Sequence, residues 1–397
     1  MKTAGIICEY NPFHNGHLYQ IQKTREAGAT HIICVMSGNF VQRGDVSIVP
    51  KQAKAQMAID AGADLVLELP VVWSMASAEL FAKGAVSILK NTGICDLLSF
   101  GSECGDLAQL KKAAAAVRDS AVESKISSYL AQGISFVSAR AKAVEEIYGK
   151  DIEALISSPN DILGIEYLNA LVGSQIEPLV IQRDTPHDKD NDSPFKKSAG
   201  EIRTLILTGE TSFKKAMPHS AYETLRQYAK LGQCPNTVED LDKAIMAVLR
   251  RFEAEDFLNF SDVGEGLENR LYNAVRQSAS VNEILLRAKS KRYTMARMRR
   301  ILLNAFLGIG KGYSQSEVPY LRVLGMSEGG KELLAAMRES AQKPVIMRYA
   351  DFQSASGVAR KIFAFECKAA DLYALSYQKP APCGTEMTSA VYIGSKE

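Results

Sequence analysis

The sequence predicts an α/β fold in which a parallel sheet is followed by a mostly α-helical C-terminal domain. Three observations carry that expectation. Short β-rich runs alternate with helix-length stretches from Thr3 to about Glu103, and the runs are apolar throughout rather than alternating in polarity. After a Gly, Pro and Asn interruption at 232–236 the chain turns helical and, in one stretch, strongly basic. Continuous apolar strands joined by helical crossovers are covered on both faces, as parallel sheets are.

Taken in order, Ala4–Cys8, His31–Met36, Asp64–Leu69 and Leu97–Phe100 read as strands, with helices near Leu18–Ala27, Lys51–Ala61 and Ala76–Leu89. Ligands in such sheets sit beyond the carboxyl ends of the strands. His14, His17, Ser37-Gly38-Asn39, Glu68 and Gly101-Ser102-Glu103 fall at such ends and are expected to cluster. Residues 106–150 read as helical. Pro159-Asn160-Asp161 predicts a helix start capped by Asn160 or Asp161. Leu179–Gln182 is a last strand, and a polar loop from Asp184 to Ser198 leads into a helix with Ile202, Leu205 and Ile206. Beyond the interruption, Leu241–Phe257, Leu267–Ser278 and Val281–Leu307 read as helices. The tail from Lys311 mixes helix with a short strand near Pro344–Arg348. The expected division is one domain over 1–233 and a helical, basic one over 234–397.

At 397 residues the chain exceeds the usual single-domain size. Hydrophobic residues make up 46% and charged residues 23%, an ordinary soluble composition, and a net charge of +2 requires any basic patch to be local. Seven cysteines, scattered without a CxxC pair, argue against a disulfide framework or a structural zinc site. The N-terminus enters a strand without the features of a signal peptide, and no run approaches the roughly 20 apolar residues of a membrane span. A cytoplasmic protein without a membrane partner is expected.

The most telling feature is His14-Asn15-Gly16-His17, just past the first strand and at the start of a helix. Such a turn brings imidazoles and free backbone N–H groups to one point, which suits phosphate. Histidines three apart share the first-turn face, Gly16 lets a ligand come close to the backbone, and Pro12 stops the strand. A nucleotide triphosphate is the expected ligand. A second cluster, Ser198-Ala199-Gly200-Glu201-Ile202-Arg203, offers a hydroxyl, exposed N–H groups and a guanidinium fork. Ser198 also fits an N-cap with Glu201 closing a capping box, and the two roles are compatible. Gly101, at a strand end, would let the adenine or ribose approach the backbone. From Arg287 to Arg300 there are seven cations and no acid: Arg287, Lys289, Lys291, Arg292, Arg297, Arg299 and Arg300, with Tyr293 among them. Unbalanced charge with an aromatic ring points to RNA.

The stretches GIICEYNPFHNGHLYQI, VMSGNFVQRGD, GADLVLELP, LLSFGSE, SSPNDILGIEYL, IQRDTPH, SAGEIR, KRYTMARMRR and YLRVLG, in this order, make the chain resemble the bacterial transfer-RNA cytidine acetate ligase family over nearly its whole length. The resemblance implies a Rossmann-like nucleotidyltransferase domain over 1–233 and a transfer-RNA-binding domain over 234–397. The implied activity converts acetate and ATP to acetyl-adenylate and acetylates the wobble cytidine amine of elongator methionine tRNA. It implies His14, His17, Ser198 and Arg203 as catalytic groups. The implied ATP contacts are Ile7, Cys8, Glu9, Tyr10, Asn11, Pro12, Phe13, His14, Asn15, Gly16, His17, Leu18, Tyr19 and Gln20, with Gly101, Asn160, Arg183 and His187. The implied tRNA contacts are Lys289, Lys291, Arg292, Arg297, Arg299 and Arg300. Magnesium is expected with ATP, held mainly by phosphates and water because no carboxylate cluster announces a ligand set. Gly200 and Glu201 stand where small or hydroxylated residues occur in relatives. Two other readings remain open at this point: an adenylyltransferase for a phosphorylated metabolite, and an RNA-binding protein with a vestigial nucleotide pocket.

Overall fold

The computed structural model describes residues 1–183, 197–290 and 293–394. Among the described residues there are ten strands: β1 (Thr3–Cys8), β2 (His31–Ser37), β3 (Phe40–Val41), β4 (Asp45–Val46), β5 (Leu65–Leu69), β6 (Leu97–Ser102), β7 (Glu177–Gln182), β8 (Leu321–Met326), β9 (Val345–Ile346) and β10 (Tyr392–Ile393). An eight-stranded sheet runs β10-β8-β5-β2-β1-β6-β7, with β9 also on β8, and β3 and β4 form a separate hairpin. The pairs among β5, β2, β1, β6 and β7 are all parallel, as the apolar runs predict. Side chains of Ile32 through Met36 are fully buried, which explains why that strand reads as continuously hydrophobic.

Each crossover starts for a local reason. Helix α1 (Asn15–Glu26) begins three residues before the expected Leu18, because the His14 imidazole at the N-cap itself caps the first turn. Helix α2 (Lys51–Asp60) follows Pro50, and its first N–H is taken by the side chain of Asn39, at 2.8 Å. The helix Pro159–Ala170 is capped at the Ser158 position rather than by Asn160 or Asp161, with Pro159 in the first turn where its missing N–H costs nothing. Asp161 instead turns inward and accepts from the Ser102 hydroxyl and the Glu103 N–H.

Two expectations about the second half change. The segment 281–307 is two helices, Val281–Ala288 and Met295–Leu307. Arg270 takes up the carbonyls of Ala288 and Lys289 at 2.8 and 2.6 Å, and Thr294 caps the new helix through the Arg297 N–H. The chain after residue 234 is mostly helical as far as Leu307 but then returns to the first sheet. β8 pairs antiparallel with β5, and β9 and β10 pair parallel with β8. Leu321, Val323 and Met326 thereby enter the same hydrophobic core as Leu65 and Leu67. No helix among the described residues is long and apolar enough to cross a membrane.

Candidate active site

The carboxyl end of β1 leads into a strained loop. Tyr10 has φ 47°, an uncommon conformation for a bulky residue, of the kind held by surrounding structure at functional sites. Its ring is buried and lies 4.7 Å from both the Phe13 and His17 rings, while its hydroxyl reaches the Cys34 thiol. Cys8 is buried as well, bonded to the Val35 carbonyl, and burial pushes its thiol pKa up. Of the run Ile7–Gln20, the side chains of Cys8, Tyr10 and Phe13 therefore belong to the core and can offer a ligand only their backbone. Leu18 packs on the same cluster. Gln20 donates to the Ser99 carbonyl at 3.1 Å, Asn15 to the Lys215 carbonyl at 2.9 Å, and Tyr19 lies beneath the Lys23 ammonium.

His14 and His17 form a reciprocal cap. The His14 Nδ1 accepts from the Gly16 N–H at 3.0 Å, and the His17 Nδ1 accepts from the His14 N–H at 3.2 Å. Their rings stack with centroids 3.7 Å apart. A ring nitrogen that accepts from a backbone N–H carries no proton there, so the geometry favours neutral imidazoles. Burial, then the charge of Arg183, pulls the His14 pKa down to about 4. His17 is pushed well below the ordinary imidazole value by burial, then by His14 and Arg183.

Arg183 leaves the end of β7 and donates to the Asn160 side-chain oxygen at 2.6 Å, and Asn160 in turn donates to the Glu103 carboxylate. A Cβ on Gly101 would meet the Arg183 side chain at 3.1 Å, so glycine there allows the guanidinium to lie over the strand end. Gly101, Asn160 and Arg183 thus come together, with Arg183 near enough to the histidines to act on their charge. Ser198 caps the helix Ala199–Leu207 in a capping box with Glu201, and from that helix Arg203 donates to the Asn11 carbonyl at 2.8 Å. His187, Lys196, Lys291 and Arg292 lie outside the described residues.

A family model described as HIGH nucleotidyl transferase matches residues 1–386. The tRNA(Met) cytidine acetate ligase of Acetivibrio thermocellus is 38% identical, over 99% of this chain and 100% of the relative. The chain belongs to the tRNA(Met) cytidine acetate ligase family. The enzyme of that name from Caldicellulosiruptor bescii is 39% identical, with both chains covered in full. The crystal structure of Thermotoga maritima TmcAL bound with alpha-thio ATP matches with a TM-score of 0.92 at 29% identity, over 99% of each chain. The apo form of that protein matches equally well, at 30% identity.

Three features of this ligase-family chain go beyond or against the sequence expectations. Glu68 does not join the histidines: it is fully buried against Lys51 at 2.5 Å and Arg322 at 3.3 Å. Glu386 at 2.6 Å and Glu366 at 3.6 Å complete the shell around the Lys51 ammonium. Burial opposes ionisation of Glu68, but the Lys51 and Arg322 charges outweigh it and hold the carboxyl low, whereas burial and Glu68 itself push Glu366 up. Second, Lys54 is fully buried, its three donors taken by the carbonyls of Glu9, Ser37 and Gly38 at 2.9, 2.8 and 2.7 Å. That ammonium ties the end of β1 to the end of β2. Third, the basic stretch is partly engaged with its own chain. Arg300 is only 12% exposed and reaches the Gln42 carbonyl and, at 3.9 Å, Asp262. Arg297 donates to the Asp262 carbonyl at 2.6 Å and lies over the Tyr293 ring. Lys289 and Arg299 are exposed. Among the described residues no group of three His, Cys, Asp or Glu side chains is placed to hold a metal ion.

Proposed function

We propose that this chain is an ATP-dependent ligase that makes acetyl-adenylate from acetate and transfers the acetyl group to the N4 amine of the wobble cytidine of elongator tRNA(Met), giving N4-acetylcytidine. The observation that carries this reading is the reciprocal His14–His17 cap at the start of α1, in a chain related end to end to tRNA(Met) cytidine acetate ligases.

An acetate oxygen attacks the α-phosphorus of ATP, the bond to the β-phosphate bridging oxygen breaks, and pyrophosphate leaves. Catalysis of such a step rests on positioning and on neutralising charge that grows on the leaving group. The α1 N-terminus, His14, His17 and Arg203 supply that charge complement, and Ser198 adds a hydroxyl at a second helix start. Gly101, Asn160 and Arg183, with His187, hold the nucleoside end of ATP. Magnesium, if bound with ATP, would be held mainly by phosphates and water and would neutralise phosphate charge, since among the described residues no group of three His, Cys, Asp or Glu side chains is placed to hold a metal. In the second step the cytidine N4 attacks the acetyl carbonyl, a C–N bond forms, the bond from the acetyl carbon to the adenylate oxygen breaks, N4 loses a proton and AMP leaves. The 1–233 part does the adenylate chemistry. Lys289, Lys291, Arg292, Arg297, Arg299 and Arg300 of the 234–397 part receive the RNA backbone. The chain works in the cytoplasm, where its tRNA is used.

The test is incubation with ATP, radiolabelled acetate and purified elongator tRNA(Met). Label bound to the RNA as N4-acetylcytidine is the expected result. Pyrophosphate released only with a phosphorylated metabolite as acceptor would replace this reading with an adenylyltransferase.

A further inference from the structure

We propose that the cavity between β4, the Ala199–Leu207 helix and the helices Val281–Ala288 and Met295–Leu307 is an acceptor pocket for the cytosine ring, and that Asp45 at its mouth selects cytosine over uracil. The proposal rests on the ligase reading above. The cavity measures about 140 Å³. Its apolar lining includes Val46, Ile48, Leu285 and Leu303, and its polar lining includes Asp45, Arg203, Asn282 and Arg299, with Glu239 and with Asp242, whose carboxylate accepts from the Val281 N–H. An apolar slot with a few convergent polar groups is the usual build of a site for a flat heterocycle.

The pocket is bolted to the adenylate loop. Arg203, in its lining, holds the Asn11 carbonyl at 2.8 Å. The Asn11 side chain accepts from the Ile48 N–H at 2.8 Å and donates to the Val46 carbonyl at 3.4 Å, and both of those residues line the cavity. Asn11 is three residues from His14, so a ring in the cavity abuts the loop that receives ATP. The hairpin wall is also pressed close to the Met295–Leu307 helix. Gly44 has φ 74°, and a Cβ there would meet the Arg299 Cβ at 2.6 Å.

The polar lining distinguishes the pyrimidines. Asp45 Oδ1 accepts from the Val46 N–H at 2.9 Å, and no other hydrogen bond to this carboxylate forms among the described residues, so acceptor capacity remains. Burial raises the Asp45 pKa, and Arg203 and Arg299 counter that rise. Cytosine presents an N4 amine, two donors, to such a carboxylate, and uracil presents the O4 acceptor, which a carboxylate repels. Exposed Arg299 in the same lining offers the RNA strand a phosphate partner.

The experiment compares the parent protein with Asp45→Ala, Asp45→Asn and Asn282→Trp, the last chosen to fill the mouth from an exposed position. Acetate-dependent ATP–pyrophosphate exchange is measured without RNA, and acetate transfer is measured on full-length tRNA(Met) transcript. Exchange is expected to stay within about twofold of the parent while transfer kcat/KM falls roughly tenfold or more, the scale of one lost base contact. A transcript with uridine at the wobble position should inhibit Asp45→Asn more strongly than the parent, because the amide can donate to O4. Unchanged transfer in Asp45→Ala and Asn282→Trp, or exchange lost together with transfer, would overturn the pocket. Absence of exchange in the parent would instead overturn the ligase reading on which the pocket rests.

Discussion

Arg203 donates to the backbone carbonyl of Asn11 across 192 residues of chain. That contact ties the start of the Ala199–Leu207 helix to the loop before His14. Arg203→Ala is expected to lower kcat/KM for acetate-dependent ATP–pyrophosphate exchange about 100-fold, the scale of one charge-stabilising donor. Lysine should restore little, since it lacks the fork that can hold Asn11 and a phosphate together. Full activity in Arg203→Lys would count against this role.

The histidine pair predicts a proton signature. Both imidazoles are neutral in the free protein at pH 7, with His14 near 4 and His17 also well below the ordinary 6.5. A triphosphate favours their charged forms, so ATP binding should take up protons between about pH 5 and 7. Calorimetry in two buffers of different ionisation enthalpy reads this directly, and His14→Ala should reduce the uptake. The same depressed values bear on stability. The unfolded chain binds protons at these positions before the folded one does, so their stabilising contribution is present above about 6.5 and is lost as pH falls through the folded values. Urea unfolding at pH 7 and pH 5 should show the drop, and a smaller drop in the His14→Ala, His17→Ala double variant.

Breaking the buried ion cluster should cost far more than any surface pair. Lys51→Met leaves the three buried carboxylates Glu68, Glu366 and Glu386 with Arg322 but without the Lys51 ammonium, a loss of about 3–5 kcal/mol. Exposed Lys83→Met, which frees Glu79 on the helix surface, should cost under about 1 kcal/mol. Urea denaturation of the two variants tests the contrast, and equal midpoints would contradict it.

The basic stretch should divide by exposure. Arg299→Ala is expected to weaken tRNA binding and reduce the salt slope by about 1, with unfolding unchanged. Arg300→Ala, which loses a hydrogen bond to Gln42, should lower the unfolding midpoint first. Filter binding over a salt series, alongside thermal unfolding, separates the two.

What the sequence made legible follows from where the information is local. The parallel core was readable because β1, β2 and β5 are largely buried on both faces and mostly apolar, with polar residues such as Thr3, His31, Ser37 and Glu68 at or near the strand ends. The Ser198–Glu201 capping box and the meeting of His14 with His17 were readable from three-residue spacing. The helix near Lys51–Ala61 was readable, but the burial of Lys51 and Lys54 was not, because nothing near them in sequence announces Glu386 or the carbonyls of Glu9 and Ser37. β8 was missed for the same reason, since its partner lies some 250 residues earlier and pairs antiparallel. The basic run looked like one helix because charge density, unlike capping by Thr294 and Arg270, is visible in composition alone.

The late return of β8 bears on how the protein is made. Until residues near 326 have left the ribosome, β5 presents an unpaired apolar edge, and its neighbour arrives only when most of the polypeptide is already synthesised. Such long-separation pairing forms slowly and leaves an edge open to intermolecular pairing meanwhile. The rate of synthesis through residue 326 and chaperone supply should therefore govern how much of the newborn chain escapes aggregation.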